Sequence, residues 1–206
     1  FGRAPLLRTA AAAFFLASLA RNSLDAQFVN YSNIRFGWTQ AQSGPVLVLV
    51  GLMLAIAPRL LVPVLGLQNS ILAGLLVTAL GLVATGLAPT SSTFVGSIFL
   101  VSVGCVCFPA LQALLANLAA PGERGALLGA AGSLIELTGA IGSTMYATVL
   151  GLYTSENAPL PIPGMHFLVG AGLLVLAWGV AVRGFAANKD DPALKASEVD
   201  FTEVET

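Results

Sequence analysis

SGPVLVLVGLMLAIAPRLLV, residues 43–62, holds one charged side chain, Arg59, in a run otherwise almost wholly apolar. A helix of about 20 residues rises about 30 Å, the thickness of a bilayer's hydrocarbon core. Working outward from this run, the same composition recurs on both sides. Between Gly44 and Arg183 the only charges are Arg59, Glu123, Arg124, Glu136 and Glu156. The 206 residues are 56% hydrophobic and 9% charged, with a mean hydropathy of +0.87. Soluble domains carry nearer 25% charge. The composition therefore excludes a water-soluble globular domain and points to an all-α membrane protein whose first partner is the lipid bilayer.

Hydropathy and breakers together predict six transmembrane helices, at about 10–33, 43–62, 70–88, 93–117, 126–152 and 165–186. Gly44-Pro45 opens the second, Pro58 and Pro63 close it, and Pro89 ends the third. Ser91-Ser92-Thr93 offers caps for the fourth, while Pro121-Gly122 and Pro159, Pro161 and Pro163 mark the next two turns. Pro109 lies inside the fourth span and should kink it, since it removes a backbone hydrogen bond. Residues 1–187 thus read as one six-helix bundle. Residues 188–206 read as an acidic, disordered tail, because the stretch from Lys189 carries two lysines against six acids.

Basic residues orient the bundle. Arg3, Arg8, Arg59, Arg124, Arg183, Lys189 and Lys195 fall on one side and Arg35 alone on the other, so both ends are expected in the cytoplasm. Phe28, Tyr31, Phe36 and Trp38 fit an interfacial aromatic belt on the outer side. The chain starts at Phe1, and its first apolar run lacks a cleavage pattern leading into a soluble domain, so it reads as a piece of a longer protein.

Several function classes drop out. There is no basic stripe for nucleic acid. Two cysteines, Cys105 and Cys107, and one histidine, His166, give no disulfide framework, zinc site or other metal site. The cysteines read as small packing residues and His166 as an interfacial one. No phosphate-binding loop, zinc-protease motif, nucleophile elbow or dinucleotide fingerprint is present, so neither an enzyme nor a cofactor is indicated.

The fifth span is rich in glycine. Gly125, Gly129, Gly132 and Gly139 share with Glu136 and Ser143 a stripe about 80° wide, counting 100° per residue. Small residues so arranged let helix backbones approach closely. They predict a tightly packed helix that aims a carboxylate inward.

Three ionisable groups fall within spans, where each costs about 2.5–3.5 kcal/mol on insertion scales. Arg21 lies about 16 Å into the first span and Glu136 about 16 Å beyond Gly125, both near the midplane. Arg21 and Asp25, four residues apart, share a helix face. They are open to three readings: a self-neutralising pair, a substrate or proton pathway, or a span that ends sooner. Glu136 has no basic partner in its own span, leaving a pathway group or a hydrogen-bonded packing carboxyl. Asn22, Ser23, Gln27 and Asn30 add polarity to the first span, whose outer half must be enclosed by protein, line water or be irregular. Gln112, Asn117 and Tyr146 are candidates either for lining a cavity or for helix-to-helix hydrogen bonds.

Particular residues also carry a resemblance. Phe36-Gly37-Trp38 before Gly44-Pro45, and above all Pro109-Ala-Leu-Gln-Ala-Leu-Leu followed by Pro121-Gly-Glu-Arg-Gly125-Ala-Leu-Leu-Gly129, resemble the C-terminal half of major facilitator superfamily transporters. The likeness is nearest the branch of tetracycline/proton antiporters and their eukaryotic relatives, and runs from about Leu6 to Ala187. It implies a twelve-helix bundle of two six-helix halves, whose missing N-terminal half is a partner, with substrate bound between them. It places Arg21, Asp25, Gln112 and Glu136 as candidate lining residues. The loop after the second span keeps Gly66 but lacks the acid and the paired basic residues usual in that family.

The function these readings support is secondary active transport of a small solute by alternating access, coupled to protons. The other reading is a non-transporting membrane receptor or scaffold built on the same six helices, in which Asp25 and Glu136 would be dispensable.

Overall fold

The computed structural model describes residues 3–120, 122–155, 158–189, 191 and 194, and every regular element among them is a helix. In chain order these are α1 (Arg3–Asp25), α2 (Phe28–Phe36), α3 (Gln40–Leu65), α4 (Leu67–Gly86), α5 (Ser91–Gly104), α6 (Cys107–Leu118), α7 (Arg124–Thr154) and α8 (Met165–Ala187).

The six expected spans appear as eight helices because two are broken. The first divides at Ala26-Gln27, where the Gln27 N–H tightens onto the Leu24 carbonyl at 3.2 Å. Its side chain leaves the helix surface as well. Gln27 Nε2 donates to the Ser143 carbonyl of α7 at 3.3 Å, and Oε1 accepts from Asn30 at 3.2 Å. The polar outer half of the span is thus irregular, one of the three outcomes open to it.

The fourth span divides at Cys105-Val106, and Pro109 explains the place. A proline ring displaces the carbonyl four residues back, here that of Cys105. That carbonyl accepts from the Phe108 N–H at 3.1 Å instead. The expected kink is therefore a full interruption.

In α3 the prolines act differently and the expected limits need correction. Pro45, Pro58 and Pro63 all lie inside the helix, so none opens or closes it. It begins after Thr39, whose N–H donates to Gln42 Oε1 at 2.9 Å, and stops at Gly66. With φ at 75°, Gly66 adopts a backbone that a Cβ would penalise, and α4 starts at the next residue. The cap of α5 also shifts, from Ser91-Thr93 to Thr90. Thr90 Oγ1 accepts from the Thr93 N–H at 3.3 Å, while Thr93 Oγ1 accepts from the Thr90 N–H at 3.2 Å.

The core lies where α4 packs between α5 and α8, and where α1 packs between α8 and α7. Phe14, Ile71, Leu75, Leu114 and Leu174 are fully buried there. Contact of α4 with α5 depends on Gly104, where a Cβ would stand 2.5 Å from the Thr78 backbone nitrogen. By contrast α3 and α7 lie at the outside with most side chains uncovered.

Of the aromatic residues expected at the outer belt, two are core and two pack against it half-buried. Phe28 and Tyr31 are buried, with Phe28 stacked on Phe94 at 5.8 Å and Tyr31 edge-on to Phe167 at 5.0 Å. Phe36 and Trp38 close on the same Phe94 ring, because the break before α2 turns this face inward. His166, expected at the interface, is buried against Tyr31 and Phe167.

Among the described residues, five helical stretches are long and apolar enough to cross a membrane: α3, α4, α5 with α6, α7, and α8. At 23 residues α1 has the length, but Arg8, Arg21 and Asp25 keep it from the composition of a span. Five of the six expected spans are therefore met. Most of 188–206, Pro121 and Glu156 lie outside the described residues. Of that tail, Leu194 is buried in the core, on a chain turned by the bond from Asp191 N–H to the Asn188 carbonyl at 3.0 Å.

Candidate functional site

A cleft of about 320 Å³ opens between α1, α6 and α7. Helical spacing builds its first wall: Ser18, Arg21, Asn22 and Asp25 recur at three- and four-residue steps on one face of α1. Phe108 and Gln112 of α6 form the second wall, one turn apart. Ile135, Glu136 and Gly139 of α7 form the third.

Arg21 and Asp25 of α1, Gln112 of α6 and Glu136 of α7 are thus brought to one cavity. Arg21 Nε donates to Asp25 Oδ2 at 2.7 Å, an ion pair within one turn of α1. Their side chains remain 36% and 50% exposed, so the pair faces the cleft rather than the core. The Arg21 guanidinium also lies over the Phe108 ring, 5.1 Å from its centre. Glu136 is exposed toward the cleft and has no basic partner among the described residues.

The other polar groups of the first span face elsewhere. Ser23 is buried against Gly170 of α8, and Gln27 reaches α7 as described above. Asn22 Nδ2 donates to the Ser18 carbonyl at 2.9 Å, leaving its amide oxygen at the cleft wall. Tyr146 is buried and does not line the cleft; Asn117 does not line it either. Cys105 and Cys107 are buried free thiols, packing residues as expected.

The glycine stripe meets no close partner among the described helices. A Cβ at Gly125, Gly129 or Gly132 would meet nothing within 4 Å, and one at Gly139 only Asn22 Oδ1 at 3.9 Å. The glycine face in the N-terminal half of α7 is thus uncovered, while Ala131, Leu127 and Leu134 of the same half pack against the core. Close approach is made one turn further on, by Gly142, where a Cβ would lie 2.6 Å from that of Asn22.

Sequence reading did not single out Phe14, Ser18 or Phe108 as lining residues. Ser18 carries a usable signal, three residues before Arg21 on the same face. The rings do not, since nothing in an apolar span distinguishes a wall residue from a packed one. Together the walls present two carboxylates, one guanidinium, two amides and two aromatic rings. Such a set can exchange protons and hold a solute that has both polar and apolar parts.

No protein-family profile matches the chain. It is similar to "Tetracycline resistance protein, class G" of Vibrio anguillarum, with 29% identity over 185 residues covering 86% of this chain. The match covers 45% of that protein, so the chain spans a little under half the length of the curated relative it matches. This similarity bears out the resemblance to the tetracycline-resistance-like branch of the major facilitator superfamily.

Proposed function

We propose that this chain forms the C-terminal half of a secondary active transporter that moves a small solute by alternating access, coupled to protons. The observation that carries the reading is the convergence of Arg21, Asp25, Gln112 and Glu136 on one cleft between α1, α6 and α7. A second six-helix bundle closing over that cleft would make a central chamber, the arrangement in which such transporters hold substrate near the midplane. The uncovered glycine face of α7 is where the second bundle would approach.

In this reading the charges divide the work. Arg21 is neutralised by Asp25 and held over Phe108, so a proton arriving on Asp25 frees a guanidinium inside the chamber. Glu136, on the facing wall, supplies a carboxylate that a proton or a cationic group of the solute occupies in turn. Gln112 and Asn22 offer hydrogen bonds that cost no charge. Closing and opening of the chamber uses helices already interrupted at Ala26-Gln27 and Cys105-Val106, beside the cleft. The reading involves no enzymatic step.

The deciding experiment is solute flux by the full-length protein in proteoliposomes, with and without an imposed proton gradient. Gradient-dependent flux that Glu136→Gln abolishes supports the reading. Absence of flux for every solute tested, with Asp25 and Glu136 both dispensable to the protein's cellular role, would favour the receptor or scaffold.

A further inference from the structure

A second cavity lies away from the cleft, between the last third of α3 and α6. It is a groove of about 400 Å³ with walls that include Pro58, Val62 and Pro63 on one side and Pro109 and Ala113 on the other. Compact proline rings face short alanine side chains there, so the two helices leave space that no described side chain fills. The walls are apolar except at one point, the side chain of Arg59.

Arg59 is exposed and has no acidic partner among the described residues. It stands six residues before the end of α3, about 9 Å at 1.5 Å per residue. With its stem laid along apolar surface, a guanidinium at that depth reaches the headgroup layer. Leu60 and Val64, beside the groove on α3, are 64% and 82% exposed. The groove therefore opens toward hydrocarbon rather than water.

We propose that this groove binds an anionic glycerophospholipid, with one acyl chain between α3 and α6 and the phosphate on Arg59. Charge complementarity selects the occupant. An acyl chain alone would leave the guanidinium without a counter-charge, and an apolar protein helix would do the same. A chain joined to a phosphate satisfies both the apolar walls and the cation, using the attraction of juxtamembrane basic residues for anionic lipid.

The test uses the full-length protein, stripped of native lipid and placed in nanodiscs with a photoactivatable phosphatidylglycerol or its phosphatidylcholine counterpart carrying the same labelled chain. Mapping should put the phosphatidylglycerol label on the segments around Pro58–Leu67 and Pro109–Ala113. The preference over phosphatidylcholine should be about fivefold, the effect of one basic residue near a membrane surface. Arg59→Gln should erase the preference and Arg59→Lys retain it, and both leave the core untouched. Ala113→Trp, which fills the groove, should remove the label from both segments. Equal labelling by the two lipids, or a preference unchanged in Arg59→Gln, overturns the proposal. So does absence of label in monodisperse protein, which would mean that protein occupies the groove.

Discussion

The guanidinium of Arg21 lies 5.1 Å over the ring of Phe108, tying the end of α1 to the first turn of α6 just past its break. Because the same guanidinium donates to Asp25 at 2.7 Å, one side chain joins the ion pair to the interrupted helix. Arg21→Lys keeps the charge but loses the planar face that stacks. Phe108→Leu keeps bulk and loses the ring. At a partly exposed site such a contact is worth about 0.5–1 kcal/mol. Each variant should therefore lower substrate affinity about two- to fivefold at normal expression, read as a shift in KM for flux.

A structural pair and a pathway pair part company in a double variant. Asp25→Asn alone leaves Arg21 without its counter-charge and should reduce both expression and flux. Arg21→Gln with Asp25→Asn restores electrical neutrality, so expression should recover. Flux should stay lost if the charges serve transport. Recovery of both would make the pair purely structural.

Glu136→Gln removes a charge from an exposed cleft wall and no packing contact. Expression and detergent stability should match wild type, while proton-driven flux falls below detection. Counterflow of solute without a gradient separates loss of coupling from loss of binding. Unchanged gradient-driven flux would remove Glu136 from the mechanism.

The α4–α5 contact predicts a stability effect at Gly104, where any Cβ would collide with Thr78. Gly104→Val should cost about 1–3 kcal/mol, in the range of overpacked cores, and lower the Tm of the purified protein by several degrees. Gly96→Ala on the same helix, with nothing within 4 Å, should leave Tm unchanged.

Cys105 and Cys107 flank the break in the fourth span and are 6% and 0% exposed. A membrane-permeant maleimide should label neither in native membranes and both after denaturation, as mass spectrometry will read. Fast labelling of Cys107 in the native state would contradict the packing of α6 against α4.

Much of this protein is settled along the chain, because a bilayer imposes length and apolarity on each helix separately. Apolar runs near Gly44–Val62 and His166–Ala186 can be recognised without knowing their neighbours. The same holds for the shared face of Arg21 and Asp25, which follows from helical period alone. Proline was only partly legible. Its local effect is one lost hydrogen bond and one displaced carbonyl, and whether the helix continues, as in α3, or breaks, as before α6, depends on the packing around it.

Tertiary structure alone decided which faces meet. Composition cannot say that Gln112 and Glu136 come to the same cleft as Arg21, since they lie on three helices whose packing angles depend on all the others. Nor can it say that Gly142 rather than Gly129 makes the close approach, or that Phe28 and Tyr31 turn into the core. A stripe of small residues licenses contact without naming a partner. Only the assembled bundle shows which stripes are covered by the described helices and which are left open.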